Sequence, residues 1–165
     1  MTTRLVLVLA AALAILGCRK REITTHDRDE AANMVSEADF AGTVREWSRA
    51  EGLYAQAAAL CPDSGDTWDS LGVARMHLGD RSGARTAYKS ALSAYKAAFE
   101  ADPTNSQSAL RMAYVLVLLG RQDEARSAVD KAYKDHPDDR TLRAFVEDGD
   151  LDKLIADPEL KDLAP

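Results

Sequence analysis

The chain has 165 residues, 46% apolar and 29% charged, a balance that suits one folded domain and excludes a disordered or linker-rich polypeptide. Its formal net charge is -6 with the signs interspersed, so no basic stripe is present to neutralise phosphates, and nucleic acid is excluded as an expected partner. Alanine-rich stretches with few β-branched runs predict helices throughout.

The first element stands apart. Arg4 supplies a positive charge, Leu5 to Leu16 is an apolar run, and Ile15-Leu16-Gly17-Cys18 closes it. Such a run rises only about 18 Å as a helix, too short for a bilayer core of about 30 Å, so residues 1–17 read as a signal peptide and not as a membrane span. The closing tetrad resembles the lipobox of bacterial lipoproteins. That resemblance implies a diacylglyceryl group on the sulfur of Cys18 and cleavage before it; the alternative is an ordinary secretory signal with a fortuitous Gly-Cys. Under the lipoprotein reading, residues 18–26 form a lipid-anchored linker, and Arg19, Lys20 and Arg21 lie where anionic headgroups attract basic side chains. In such lipoproteins an Asp after the cysteine commonly marks retention in the inner membrane; Arg19 stands there instead, which favours the outer membrane, facing the periplasm. Cys61 is expected to be a small buried hydrophobe at a helix end, with an intermolecular disulfide as the alternative.

Ordered helix is expected from Asp27, which with Glu30 reads as a capping box. Beyond it, three segments share one spacing: Ala50, Tyr54, Ala57 and Pro62; Ala91, Tyr95, Ala98 and Pro103; Ala125, Val129, Ala132 and Pro137. Leu78-Gly79 and Leu119-Gly120 precede the latter two, and Trp68-x-x-Leu71-Gly72 opens the middle unit. Small residues let antiparallel helices approach, an aromatic fills the wider gap, and proline ends the hydrogen-bond ladder. Gly79 and Gly120 suit the left-handed position that stops a helix. The pattern resembles the tetratricopeptide repeat, a helix-turn-helix unit of about 34 residues. That resemblance implies an all-α fold, a short right-handed α-solenoid of about three helix pairs over residues 27–139. The units fall at about 31–64, 65–105 and 106–139; the first lacks the opening motif and turns near Gly42 to Arg45.

Gly79 and Gly120 lie 41 residues apart, a heptad more than one repeat. The middle unit fits its own signature twice, as Ala84, Tyr88, Ala91 and as Ala91, Tyr95, Ala98. A heptad falls only about 20° short of two helical turns, so inserting one lengthens a helix without rotating its buried face. The second helix of the middle unit is therefore expected over about Arg81 to Ala101, overhanging its neighbours by about 10 Å. Residues 140–165, with Leu142, Phe145, Val146, Leu151, Leu154 and Ile155, read as the cap that a solenoid's last repeat requires.

In the family resembled, first helices line a concave groove. By repeat position its lining is Asp66, Asp69, Val73, Met76 and His77 in the second unit, and Gln107, Leu110, Tyr114, Val117 and Leu118 in the third. Asp66, Asp69, Val73 and Leu110 stand where a grip on a partner's C-terminal carboxylate would need cations and amides. Met112 to Leu119 is apolar at every position, so that helix is covered either from within, by the C-terminal tail or the overhanging helix, or by a partner segment. His26, His77 and His136 form no metal-ligand pair, and no phosphate loop or nucleophile elbow is present; no enzyme, cofactor or metal is expected. Two functions remain open: a membrane-anchored, periplasm-facing scaffold or assembly factor for a cell-envelope complex, and a small helical ligand-binding accessory of an envelope transporter. Self-association is a further expectation, three repeats being about the minimum for a stable array.

Overall fold

The computed structural model describes residues 22–161, the side chains of Glu159 and Lys161 apart, and every regular element among them is a helix. The signal peptide and Cys18 lie outside the described residues. Helices α1 (Thr25–Thr43) and α2 (Trp47–Leu60) form the first pair, α3 (Gly65–His77) and α4 (Arg81–Ala101) the second, and α5 (Ser106–Leu118) and α6 (Gln122–Asp135) the third. Three short helices follow: α7 (Arg140–Glu147), α8 (Asp150–Ala156) and α9 (Pro158–Lys161). Each helix packs mainly on its sequence neighbours, which makes the chain a short α-solenoid.

Each first helix opens on a side-chain cap. Ser64 Oγ accepts from Thr67 N–H at 3.3 Å, and Asn105 Oδ1 accepts from Ser108 N–H at 3.0 Å. Asp139 does the same for α7 through Leu142 N–H. The capping box of α1 is Thr24 with Asp27, and not Asp27 with Glu30 as expected. Thr24 Oγ1 accepts from Asp27 N–H at 3.1 Å, while Asp27 Oδ2 accepts from Thr24 N–H at 2.9 Å. Either residue can cap in principle; the hydroxyl one turn earlier extends the helix, and Asp27 becomes its reciprocal partner inside the first turn.

All three pairs turn in one way. At Gly79 (φ 80°) and Gly120 (φ 72°) the backbone is left-handed, with Asp80 N–H bonded to Arg75 O and Arg121 N–H to Leu116 O. The first pair repeats this geometry with Arg45 (φ 62°), next to Glu46 N–H bonded to Ala41 O. An arginine thus occupies a position that favours glycine.

The core is built from alanines at the helix crossings. Ala38, Ala41, Ala50, Ala84, Ala87, Ala91, Ala113 and Ala125 are fully buried, and the rings of Tyr54, Tyr88 and Tyr95 fill the space between them. Helix α4 has the bounds that the duplicated heptad predicts. Its two tyrosines pack on two glycines of α3: a Cβ added at Gly72 would sit 2.3 Å from the Tyr88 ring, and one at Gly65 would sit 2.5 Å from the Tyr95 ring. Because α3 and α4 are antiparallel, seven residues forward on one match seven residues back on the other, so the insertion supplies a second ring-on-glycine contact. The last turns of α4 run on past the start of α3, where Phe99 joins Leu110 and Tyr133 against Ala109, Ala132 and Leu142.

Cys61 is buried at the end of α2, as its sequence position suggests. Its Sγ lies 3.5 Å from Asp27 O and so fastens α2 to the start of α1. No described helix is long and apolar enough to cross a membrane.

Candidate groove site

Two adjoining regions of the first-helix face carry chemistry. One is a cleft of about 590 Å³ between α1 and α3, lined by Ala32, Val35, Ser36, Asp39, Asp66 and Ser70 among others. Its polar wall is fixed from behind, since Tyr54 Oη donates to Asp39 Oδ1 at 2.6 Å. The other is a cluster on α3, α4 and α5 comprising Asp66, Asp69, Tyr88, Tyr95, Arg111 and Tyr114. Asp66 belongs to both. It accepts from Tyr95 Oη at 2.6 Å, and Arg111 Nε stands 3.7 Å from the same carboxylate oxygen.

Asp69 lies one turn beyond Asp66 on the same helix face. It is 9% exposed and its Oδ1 has no hydrogen-bond partner; Tyr88 is 2% exposed and its buried hydroxyl also has none. Each such unmet buried group costs about 1–3 kcal/mol. Burial pushes the Asp69 carboxyl up to about 6, with Arg111 opposing and Asp66 reinforcing the rise. Burial likewise raises Tyr88 and Tyr114, and in both the nearby Asp69 charge adds to the effect.

The other expected groove residues fall into three states. Val73, His77 and Gln107 are exposed, His77 lying flat on Trp47 with ring centroids 3.7 Å apart. Met76 and Tyr114 are half-buried against Tyr88 and Tyr95, and Leu110 is half-buried against Leu142. Val117 is 4% exposed, packed with Leu116 and Ala113 beneath Leu151, Ile155 and Leu160. Leu118 is buried as well. The fully apolar stretch of α5 is therefore covered from within, Leu116 and Val117 by the tail and Val115, Leu118 and Leu119 by α4, which is the internal one of the two explanations open from sequence; Val117 and Leu118 do not face an open groove.

Sequence reasoning missed the contribution of the second helices and of the first unit. Arg111, Tyr88 and Tyr95 reach the aspartates only through tertiary packing, and Ser36 and Asp39 sit in a unit without the opening motif. A second cleft, of about 650 Å³, lies where α4 overhangs, lined by Ile23, Leu60, Pro62, Trp68, Ala94 and Ala98. Among the described residues no three His, Cys, Asp or Glu side chains converge to hold a metal ion.

A solenoid of helix pairs is the architecture of a helical-repeat protein. Residues 84–148 match the family model described as tetratricopeptide repeat. Among solved structures, the type III secretion translocator chaperone SycD of Yersinia enterocolitica aligns with a TM-score of 0.50 at 16% identity, over 86% of this chain and 89% of that one. A second structure of SycD, in complex with a peptide of the translocator YopD, aligns at 0.49 and 16% identity, over 86% and 99%. The Arabidopsis OM64 TPR domain aligns at 0.46 and 20% identity, over 77% and 98%. No curated protein matches the chain. The helix pairs and the alignment at 0.50 establish the all-helical solenoid fold, and the family match over residues 84–148 supports the tetratricopeptide-repeat reading.

Proposed function

We propose that this chain is a lipid-anchored, periplasm-facing interaction scaffold or assembly factor for a cell-envelope complex, and that it binds a protein partner along the face made by α1, α3 and α5. The observation that carries this reading is the cleft between α1 and α3, whose lining residue Asp66 also accepts from Tyr95 and so joins it to the tyrosine-lined cluster on α3, α4 and α5. A surface of that shape takes an extended or helical segment of another polypeptide. The tetratricopeptide-repeat match over residues 84–148 supports the same reading. The anchor rests on the lipobox-like Ile15-Leu16-Gly17-Cys18, and one lipid chain alone gives only marginal binding, so two or more acyl chains on Cys18 are implied.

The test is photocrosslinking in native membranes. A crosslinking amino acid placed at Val73 or Gln107, both exposed on the groove side, is expected to give a discrete adduct, while the same group at Lys89, exposed on α4, gives none. Equal adducts from all three positions would remove the groove from the account. Cys18→Ser is expected to release the protein from the membrane fraction and to abolish incorporation of a labelled fatty acid; unchanged partition would remove the anchor.

A further inference from the structure

The charges in the cluster do not balance. Asp66 accepts from the Tyr95 hydroxyl at 2.6 Å and has Arg111 at 3.7 Å, and the same guanidinium acts on Asp69, so one cation is shared by two carboxylates and one negative charge is left over. Its Oδ1 and the Tyr88 hydroxyl oxygen are both buried and unmet, and both belong to side chains at least nine-tenths buried. What is missing is a donor that carries positive charge. A lysine ammonium offers three donors from a compact head on a flexible apolar stem. The rings of Tyr88, Tyr95 and Tyr114 supply an aromatic wall for that stem and an attractive face for the cation. Asp66 lines the cleft between α1 and α3 and stands one turn before Asp69 on the same helix, whereas Asp69 and Tyr88 are themselves covered, so an ammonium arriving along that cleft displaces the side chains over them to reach the pair. Leu160 of α9 packs on the same cluster.

We propose that Asp69 and Tyr88 form the specificity position of the groove and receive the ammonium of a lysine side chain from the bound partner segment. This rests on the groove reading above and adds the chemistry that selects the partner. The aspartates invert the preference of a groove built to grip a C-terminal carboxylate, since an anion would meet Asp66 and Asp69.

The test uses the full chain and a phage-displayed library of random dodecapeptides. Groove binders are those that the Asp66→Lys variant no longer retains. They are expected to share a lysine at one fixed position. In a synthetic copy of the strongest binder, replacing that lysine by norleucine is expected to weaken binding at least tenfold to wild type, and the difference is expected to vanish in Asp69→Asn. Tyr88→Phe keeps the ring and removes only the hydroxyl, so it should reduce the lysine preference several-fold; circular dichroism of each variant confirms that the helices persist. Groove binders with no fixed basic residue, or a lysine preference unchanged in Asp69→Asn, would overturn the cation site and leave the groove standing. Absence of any groove-dependent binder would overturn both. Single waters bridging Asp69 and Tyr88 in a crystal of the peptide complex would also overturn it.

Discussion

At the scale of single residues, two positions carry an unresolved cost. Arg45 sits in left-handed backbone, which a residue with a Cβ adopts at about 1–2 kcal/mol, whereas Gly79 and Gly120 hold the equivalent turns without that strain. Allowing for the greater unfolded-state entropy of glycine, Arg45→Gly is expected to stabilise the fold by about 0.5–1 kcal/mol. A thermal melt reads the change, and a lower midpoint would refute the account. Asp69 carries the second cost. Its carboxyl, pushed up to about 6, stays protonated in the folded chain between about pH 4 and 6, where the unfolded chain has already lost the proton, and is a carboxylate above that range. The stability it contributes is therefore full below about pH 4 and is lost as pH rises through 6. The charged and titratable groups facing it are Asp66 on α3, Tyr88 and Tyr95 on α4, and Arg111 and Tyr114 on α5, with Asp157 near Tyr114. At pH 7.5, Asp69→Asn is expected to be more stable than wild type by about 1–2 kcal/mol, with the gap closing towards pH 5. Denaturant melts at the two pH values would show a constant gap if the assignment is wrong.

At the scale of helices, α4 shows what periodicity can and cannot reveal. The doubled Ala-Tyr-Lys placed its ends at Arg81 and Ala101, because a heptad leaves the buried stripe in phase. One extra residue would not. A single alanine inserted after Ser93 turns Tyr95 and Phe99 by about 100° away from Gly65 and Leu142. That insertion is expected to cost more than deleting the whole heptad Tyr88 to Ala94, which loses one ring but keeps the phase; comparison of the two melting midpoints checks the order. The glycine turns and small-residue crossings were legible for the same reason, since each demands a residue type. Arg45 was not, as arginine carries no signal for left-handed backbone. Nor was the pairing of Asp66 with Arg111, because those residues meet only when α3 and α5 pack, and no local spacing records a contact between helices so far apart in the chain.

For the molecule as a whole, the tail decides how much of α5 meets water. Leu151, Ile155 and Leu160 cover Met112 and Val117, and Arg126 clasps Asp152 at 2.6 Å from outside. A chain ended after Glu147 loses three part-buried aliphatic side chains at about 1 kcal/mol each, so a loss of about 3 kcal/mol is expected, with the repeat helices retained. Binding of an apolar fluorescent dye should rise in parallel; a truncated chain with unchanged melt and dye signal would show that the tail does not serve as the cap. The elongated α4 has a mechanical corollary. It is pinned to α3 by two rings on two glycines and, through Phe99 and Leu92, to clusters built on α5, α6 and α7. It therefore works as a splint that couples the second and third pairs into one packed unit, so a change of phase in this one helix is felt in both.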